Sequence, residues 1–142
     1  MAWTRDKVWK FISTDRLGRL ATASTNGEPH VVPLWYEVQG DRILAYSRRK
    51  ERKARNIAEN PVFSLAVDDD STPYRGVVLR GRAEVVEQGV LDPGPLIERL
   101  AVRFLGPEAG GEVGRRLAAD SEAVTLVLFP KAWASWDYSS HT

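Results

Sequence analysis

The sequence predicts a mainly β protein, an antiparallel barrel with peripheral helices. The segment from Tyr74 to Glu87 alternates apolar and charged side chains, with Val77 and Leu79 on one face and Arg80 and Arg82 on the other. This alternation is typical of a strand in a half-buried antiparallel sheet. The other predicted strands are mostly joined by hairpin turns and do not alternate regularly with helices, which argues against a doubly wound parallel sheet.

The first third of the chain predicts a helix, a hairpin and a further strand. Thr4 is a suitable N-cap for a helix that extends to about Ser13. Asn26-Gly27 predicts a two-residue hairpin turn, because glycine tolerates a positive φ. Pro33 removes one hydrogen-bond donor from the returning strand and so marks an edge, a bulge or a functional opening. The predicted strands of this part are Arg19 to Ser24, His30 to Val38 and Arg42 to Ser47.

The remaining elements follow from the same patterns. A helix after Ser47 ends before Asn60-Pro61, a dipeptide that stops helices. Asp92 to Asp120 is helical in character, interrupted at Gly106-Pro107 and weakened at Gly110-Gly111. The predicted strands are Val62 to Asp68, Tyr74 to Glu87, Ala123 to Phe129 and Lys131 to Tyr138, with Trp133 and Trp136 of the last on opposite faces. The prediction totals six or seven strands and three or four helices.

Composition is that of an ordinary globular protein and limits the available chemistry. The 142 residues fit one domain, 1–142, of which 43% is hydrophobic and 27% charged. The absence of cysteine excludes disulfides and thiolate chemistry, and two histidines are too few for a histidine-based metal cluster. The charged N-terminal segment is not a signal peptide, and no apolar run reaches the roughly 18 residues that span a bilayer. We therefore expect a cytoplasmic protein without a metal or a membrane partner.

The most informative stretch is R-R-K-E-R-K-A-R-N, residues 48–56, which holds six Lys or Arg residues and one glutamate. It lies at the junction of a predicted strand and a predicted helix. The N–H groups and the dipole of a helix start favour an anion, and Lys and Arg add full charges there. Such a run is also common on a solvated helix face. It contains no aromatic residue and the whole chain carries a net charge of only +1, so nucleic-acid binding is not favoured.

Five motifs occur in a characteristic order along the chain. They are G-R-L-A-T-A-S-T-N-G-E-P-H-V-V-P-L-W, a strand that ends at Ser47, K-A-R-N-I-A-E-N-P, Y-R-G-V-V-L-R-G-R-A-E-V and W-A-S-W-D-Y. This order resembles that of the pyridoxamine-5'-phosphate-oxidase-like superfamily of flavin and deazaflavin oxidoreductases, most weakly from Val90 to Glu122. The nearest branch is similar to reductases that depend on the deazaflavin coenzyme F420. The resemblance implies an FMN-binding split-barrel-like fold, a split β-barrel that forms a homodimer with two cofactor sites at the subunit interface.

The resemblance also implies which residues hold the cofactor. Its phosphate, or the acidic tail of a deazaflavin, is expected at the start of the basic helix, where the matching residues are Arg48, Arg49, Lys50, Arg52, Lys53 and Asn56. Ser47 offers a hydroxyl or an N–H group at the end of the preceding strand. The strand whose backbone runs along the cofactor ring is matched by Val31, Val32, Pro33, Leu34 and Trp35. Trp136 matches a C-terminal aromatic residue that reaches the site of the partner subunit.

The implied activity is hydride transfer from coenzyme F420 to a small unsaturated organic substrate. The cofactor carries this chemistry itself, so the absence of an obvious catalytic set of side chains is expected. Two alternatives stay open: an FMN-binding oxidoreductase of the same fold, and a carrier protein that binds a flavin or deazaflavin without turnover. The C-terminal segment with Arg and His that contacts the substrate of true pyridoxamine phosphate oxidases has no counterpart here. Vitamin B6 oxidation is therefore not expected.

The catalytic residues stay unassigned from the sequence. Candidates for an apolar wall beside the cofactor ring are Trp35, Tyr36 and Tyr74. Candidates for the proton donor are Tyr36, Tyr74, Tyr138 and bound water. His30 is expected to be an exposed strand residue. Independently of the resemblance, the apolar strand Ala123 to Phe129 and the segment with Trp133 and Trp136 offer more apolar surface than one small barrel needs, which also supports a homodimer.

Overall fold

The mainly β class and the antiparallel architecture are confirmed by a computed structural model, which describes residues 2–139. All strand pairs are antiparallel, and the strands form one sheet in the order β2-β1-β5-β6-β7-β4-β3. The elements are α1 (Arg5–Ile12), β1 (Gly18–Ala23), β2 (Pro29–Leu34), β3 (Glu37–Gln39), β4 (Arg42–Arg48), α2 (Arg52–Glu59), β5 (Val62–Asp68), β6 (Arg75–Val86), α3 (Gly94–Leu105), α4 (Pro107–Ala118) and β7 (Ala123–Asp137).

The two edge strands of the sheet are neighbours in sequence. Only Trp35 and Tyr36 separate the end of β2 at Leu34 from the start of β3 at Glu37. Three steps of about 3.8 Å between consecutive Cα atoms allow at most roughly 11 Å between these strand ends. The sheet therefore curls until its edges approach each other, and it forms a half-barrel. The prediction of one strand from His30 to Val38 is wrong, because the chain crosses here from one edge to the other.

Tyr36 gives the physical reason for this crossing. Its side chain is fully buried, and its hydroxyl donates a hydrogen bond to the carbonyl oxygen of Ile12 at 2.6 Å. The ring also lies against Gly18, where an added Cβ would come within 3.0 Å of it. The large aromatic ring thus enters the interior at the point where the chain leaves β2. Strand alternation alone contained no sign of this turn, since the crossing residues are themselves apolar.

The last two predicted strands are a single strand, β7, which continues through Pro130. Gly81 pairs with Pro130 and Arg80 pairs with Ala132, so Lys131 has no partner on β6 and forms a bulge. A bulge tolerates the missing N–H of a proline inside a sheet. An added Cβ at Gly81 would collide with the carbonyl oxygen of Phe129, so the bulge also requires a glycine opposite it.

The interior of the half-barrel holds the main hydrophobic core. The alternation predicted for β6 is confirmed, because Val77 and Leu79 are fully buried while Arg80 and Arg82 are exposed. The first helix begins after Thr4, whose hydroxyl accepts a hydrogen bond from the Lys7 N–H, as predicted. Helices α1 and α2 add further side chains to this core, and its fully buried members include Val8, Ile12, Leu20, Ile43, Leu65, Leu126 and Leu128.

A helical hairpin, α3 and α4, covers the outer face of β4 and β7. Its break at Gly106-Pro107 is confirmed, and α4 continues through Gly110-Gly111, where the sequence predicts a weaker helix. An added Cβ at Gly110 would meet the backbone of α3 at Ala101, so this glycine brings the two helices into close contact. The face beneath α3, which we call the covered face, holds a second apolar cluster of Leu44, Leu96, Leu100 and Val127. None of the helices in residues 2–139 is long and apolar enough to cross a membrane.

The outer face of the remaining strands has no helix packed over it within the described residues. Register places small or apolar residues side by side across β2, β1, β5, β6 and β7, and the outward side chains include Ala21, Val31, Ser64, Ala66, Val78 and Ala134. Val31 is 65% exposed. We call this surface the open face.

Candidate functional site

The gap in the half-barrel lies between β2 and the last residues of β4. Strand β3 pairs with β4 only as far as Leu44, so Tyr46 and Ser47 have a partner strand, β7, on one side only. Strand β2 is an edge strand. A cavity of about 360 Å³ opens in this gap, and we call it the seam cavity; its lining residues are Leu17, Pro33, Leu34, Trp35, Tyr46, Ser47, Glu51 and Lys53.

The start of α2 supplies the charged wall of the seam cavity. Lys53 is buried to 8% exposure, and its ammonium nitrogen lies 2.5 Å from Oε2 of Glu51. Burial by itself raises the pKa of Glu51, but the hydrogen bonds and charges of Lys53 and Arg48 together outweigh burial, so that this pKa lies below its ordinary value. Glu51 is the N-cap, yet no side chain caps this helix. The first N–H groups of α2 therefore remain open to an anion.

The other cations of the basic run divide into paired and unpaired ones. Arg48 contacts Asp120 at 2.7 Å, and Arg49 contacts both Glu87 and Glu122 at 2.7 and 2.5 Å. These contacts raise the pKa of Arg49, chiefly through its hydrogen bond to Glu87. Lys50 and Arg52 are exposed and form no ion pair with the described residues. Of the predicted cations, only Lys53 lines the seam cavity.

The predicted polar residues Ser47 and Asn56 are both buried. Ser47 lines the seam cavity, and its hydroxyl donates to the carbonyl oxygen of Arg48 at 2.9 Å. Asn56 lies behind the cavity, where its amide donates to the Thr22 hydroxyl at 3.1 Å. This bond ties α2 to β1. Ser47 is thus available at the cavity wall, while the contact of Asn56 holds the helix in place.

The predicted residues of β2 are divided by their position along the strand, because those at its end line the cavity and those before it do not. Pro33, Leu34 and Trp35 line the seam cavity. Val31 points to the open face and Val32 is half-buried, and neither side chain lines the cavity. Beyond the strand end, the Trp35 ring stacks on Phe104 of α3, with centroids 5.8 Å apart and planes 8° from parallel. The helical hairpin therefore fixes the aromatic wall of the cavity.

Trp136 lies at the other end of the sheet, opposite Gly76 on β6. An added Cβ at Gly76 would come within 2.6 Å of the Trp136 ring, so the ring packs over this glycine. Trp133 packs against the main core, which agrees with the expected opposite orientation of the two tryptophans. Within one chain Trp136 does not line the seam cavity.

The tyrosine in the seam cavity is one that sequence reasoning missed. Tyr46 lines it, and burial, followed by the nearby charge of Glu51, raises the Tyr46 pKa. The candidate Tyr36 is instead in the core, where burial raises its pKa and its hydroxyl is bonded. Tyr74 is exposed and is absent from the cavity lining. The signal for Tyr46 was its place directly before Ser47, at the strand end that leads into the basic run.

His30 differs from its expected exposure. It is half-buried and lines a second, small cavity of about 50 Å³ together with Arg52, Ser24, Glu28 and Pro29. Its Nδ1 atom has no hydrogen-bond partner among the described residues. No group of three or more His, Asp or Glu side chains in residues 2–139 is arranged to hold a metal ion.

The seam cavity can receive a flat ring that carries an anionic group. Unpaired backbone at the edges of β2 and β4 offers donors and acceptors to polar atoms on the ring's rim. Trp35, Leu34 and Pro33 provide apolar contact, and Lys53 with the helix start provides positive charge at one end. The curled antiparallel sheet thus has an open seam with a helix start beside it, an arrangement that suits a ring-shaped ligand with an anionic group.

The chain belongs to the pyridoxamine 5'-phosphate oxidase family, whose model matches residues 4–136. A relative in Streptomyces rimosus subsp. rimosus is the 5a,11a-dehydrotetracycline/5a,11a-dehydrooxytetracycline reductase. The two sequences are 33% identical over 97 residues, and the match covers 63% of this chain and 68% of the relative. The split-barrel fold is shared with solved structures. One is an F420 reductase, 28% identical with a TM-score of 0.71, covering 88% of this chain and 94% of that chain. Another is a conserved hypothetical protein of Mycobacterium tuberculosis, which is 25% identical and has a TM-score of 0.77. The match covers 98% of this chain and 88% of that chain.

Proposed function

We propose that the protein is a cytoplasmic reductase that uses coenzyme F420 to reduce a small unsaturated organic substrate. The observation that carries this proposal is the seam cavity, where unpaired strand edges, an aromatic wall and the uncapped start of α2 meet. A ring cofactor with an anionic side chain requires these three features together. The reductase relative supports the type of reaction, and the F420 reductase structure supports the type of cofactor.

The residues of the chain fit a deazaflavin. The backbone of Pro33, Leu34 and Trp35 would hold the ring, and Lys53 with the first N–H groups of α2 would hold the phosphate. A volume of about 360 Å³ is at the small end for ligand sites, so an acidic tail would extend outside the cavity. Lys50 and Arg52 are exposed beside it and can receive that tail. When bound, the deazaflavin supplies the hydride; the protein binds it, orients it and excludes water.

The proposed substrate is a conjugated, unsaturated cyclic compound. The name of the Streptomyces relative describes the reduction of dehydrotetracyclines, which are compounds of that kind. In this chain the stacked Trp35 and Phe104 rings form a flat apolar wall next to the cofactor position. Such a wall suits a planar substrate better than a flexible one.

We also propose that the protein works as a homodimer through the open face. This face presents neighbouring small and apolar side chains that nothing within the described residues covers, among them Ala21, Val31 and Val78. Arg80, at the same face, forms no ion pair with the described residues. Pro33 is exposed beside the open face and also lines the seam cavity, so a second copy bound here would contribute to the cavity wall. Trp136 is the proposed contact to the partner's site.

Side-by-side titrations with oxidised F420 and with FMN, followed by fluorescence, test this function. We expect F420 to bind more tightly, and Lys53→Ala to weaken its binding about 10- to 100-fold, because a charge-assisted hydrogen bond contributes about 1.5–3 kcal/mol. Arg55→Ala is the matched control. Arg55 is an exposed cation of the same helix that lines a different groove, so its loss should change the affinity by no more than about twofold.

The possible results separate the alternatives. Preference for FMN would assign the protein to the FMN-binding oxidoreductases of this fold. Tight F420 binding without oxidation of the reduced cofactor by any conjugated substrate would make it a carrier. Failure to bind either cofactor, or equal losses in Lys53→Ala and Arg55→Ala, would remove the seam cavity as the cofactor site.

A further inference from the structure

Three titratable side chains line the seam cavity: Tyr46, Glu51 and Lys53. Two of them bind each other, because Lys53 donates to Glu51 at 2.5 Å. Lys53 is also the residue proposed to hold the cofactor phosphate. The third, Tyr46, forms no hydrogen bond through its hydroxyl with the described residues. Its hydroxyl oxygen is accessible to solvent. The cavity thus contains one weak acid that has no other partner.

The ring of Tyr46 is held firmly. It packs against the second apolar cluster, on the covered face beneath α3, next to Leu44, Leu100 and Val127. Strand β4 fixes its backbone, since Tyr46 pairs with Thr125 of β7. A tyrosine with a fixed ring and an unpartnered hydroxyl at a cavity wall is positioned to donate to a ligand there.

The protonation state of Tyr46 suits this role. Burial, and then the negative charge of Glu51, raise its pKa above the ordinary tyrosine value. The hydroxyl therefore keeps its proton at neutral pH, and gives it up only to a strongly basic centre, such as the carbon that becomes electron-rich after hydride addition.

The other three tyrosines cannot take this role in the same chain. The Tyr36 hydroxyl already donates to Ile12 inside the core. Tyr74 and Tyr138 are exposed, and neither lines the seam cavity. They adjoin each other at the far end of β6 and β7, where the Tyr138 N–H donates to the carbonyl oxygen of Tyr74.

We propose that Tyr46 is the catalytic acid that donates the proton completing the reduction. The inference rests on the proposed function. In reduction of a conjugated carbon–carbon double bond, one carbon receives the hydride, with its electron pair, from the reduced deazaflavin. The Tyr46 O–H bond then breaks, and its proton forms the new bond at the electron-rich end of the conjugated system. The phenolate regains a proton from water through the open side of the cavity, so that atoms and charge balance.

The test is Tyr46→Phe, which removes the hydroxyl but keeps the ring that packs beneath α3. We expect kcat for a conjugated cyclic ketone substrate to fall about 100-fold, within the range for general acids, while the Kd for F420 stays within about twofold. Thr25→Val is the control: it removes an exposed hydroxyl that lies outside the cavity lining, and it should leave kcat unchanged.

A second measurement is independent of turnover. NMR of protein labelled at the tyrosine ring carbon follows each of the four tyrosines, and Tyr46→Phe identifies one signal. A planar ketone analogue of the substrate, added to the F420 complex, should shift the Tyr46 signal and leave in place that of Tyr36, whose hydroxyl is bonded inside the core. Unchanged kcat in Tyr46→Phe, or an unmoved Tyr46 signal, would overturn the proposal. Wild-type protein that does not bind F420 would instead refute the proposed function, and the role of Tyr46 with it.

Discussion

The two outer faces of the same sheet differ in what lies over them. On the covered face, Leu44 and Val127 meet Leu96 and Leu100 of α3 and form a closed apolar cluster. On the open face, Val78 and Ala134 lie side by side with no helix of the described chain above them. The strands are equally regular on both sides. The difference therefore lies in the side chains that each face presents.

With the proposed homodimer, this difference would assign stability to one face and assembly to the other. Large branched side chains on the covered face require a permanent cover, which the chain itself supplies. The small side chains of the open face cost less to leave in water and form a flat surface, which suits a second folded copy. Substitutions on the two faces should consequently have different effects.

The largest effect is expected from Leu100→Ala on the covered face. Leu100 is fully buried, so its truncation removes apolar contact and leaves a cavity, at a cost of about 2–5 kcal/mol in the free energy of unfolding. Urea denaturation measures this loss. Leu105→Ala, on the same helix but 43% exposed, should cost no more than about 0.5 kcal/mol. Equal losses at the two positions would mean that α3 does not act as a fixed cover.

A smaller effect on folding and a clear effect on assembly are expected from Ala134→Glu on the open face. Ala134 is exposed in the single chain, so the free energy of unfolding of the monomer should change by no more than about 0.5 kcal/mol. In a dimer the new carboxylate would be buried without a partner, and the dissociation constant should rise at least about tenfold. Sedimentation over a concentration series provides the measurement.

The same chemical change at a distant site controls for added charge. Ala109 is exposed on α4, away from the open face, and Ala109→Glu should leave the dimer intact. A wild-type protein that stays monomeric at every concentration would contradict the proposed homodimer.

The smallest effect is expected from removing an ion pair between α3 and the sheet. Arg99 of α3 donates to both carboxylate oxygens of Glu37 on β3, at 3.0 and 3.1 Å. The hydrogen bond from Arg99 is the main reason that the pKa of Glu37 lies below its ordinary value, although burial opposes it. Glu37→Gln should cost about 0.5 kcal/mol at pH 7, since the pair is partly exposed to water.

The pH dependence follows from the direction of this shift. A carboxylate with a lowered pKa in the folded state stabilises the protein above the unfolded value, about 4.3 for glutamate, and loses that contribution as the pH falls through the lower folded value. The difference in unfolding free energy between wild type and Glu37→Gln should therefore shrink below about pH 4.3. Glu98→Gln removes an exposed carboxylate of α3 that forms no ion pair with the described residues, and it should cost less at pH 7 than Glu37→Gln. A difference that persists unchanged at lower pH would contradict the assignment to the ion pair.

Patterns among residues close together in the sequence were sufficient to predict most of the fold. Thr4 capped its helix, and the alternation in β6 identified its buried face. Asn26-Gly27 lies between two paired strands, but the prediction of a two-residue turn is wrong, because the connection spans residues 24–28. Each of these features depends on residues close together in the chain. The errors arose where distant residues decide the structure, as at Tyr36, whose partner Ile12 lies 24 positions away, and at Pro130, whose bulge depends on Gly81.

The candidate site was harder to predict from the sequence, because it too depends on residues from distant elements. The seam cavity joins Pro33 of β2 to Tyr46 of β4, which only the curl of the sheet brings together. The sequence also grouped all the cations of the basic run, whereas Arg48 and Arg49 contact acids 38 to 73 positions away. Lys53 differs from them through its burial, which local charge patterns do not encode.

The crossing at Trp35 and Tyr36 also bears on how this sheet behaves in a crowded solution. Unpaired strand edges are templates on which other chains can add a strand and aggregate. Here one edge strand, β3, has only three residues, and the other, β2, carries Pro29 and Pro33, which lack the N–H that an incoming strand would need. The half-barrel can thus keep its seam open to a small ligand while offering little for another strand to pair with.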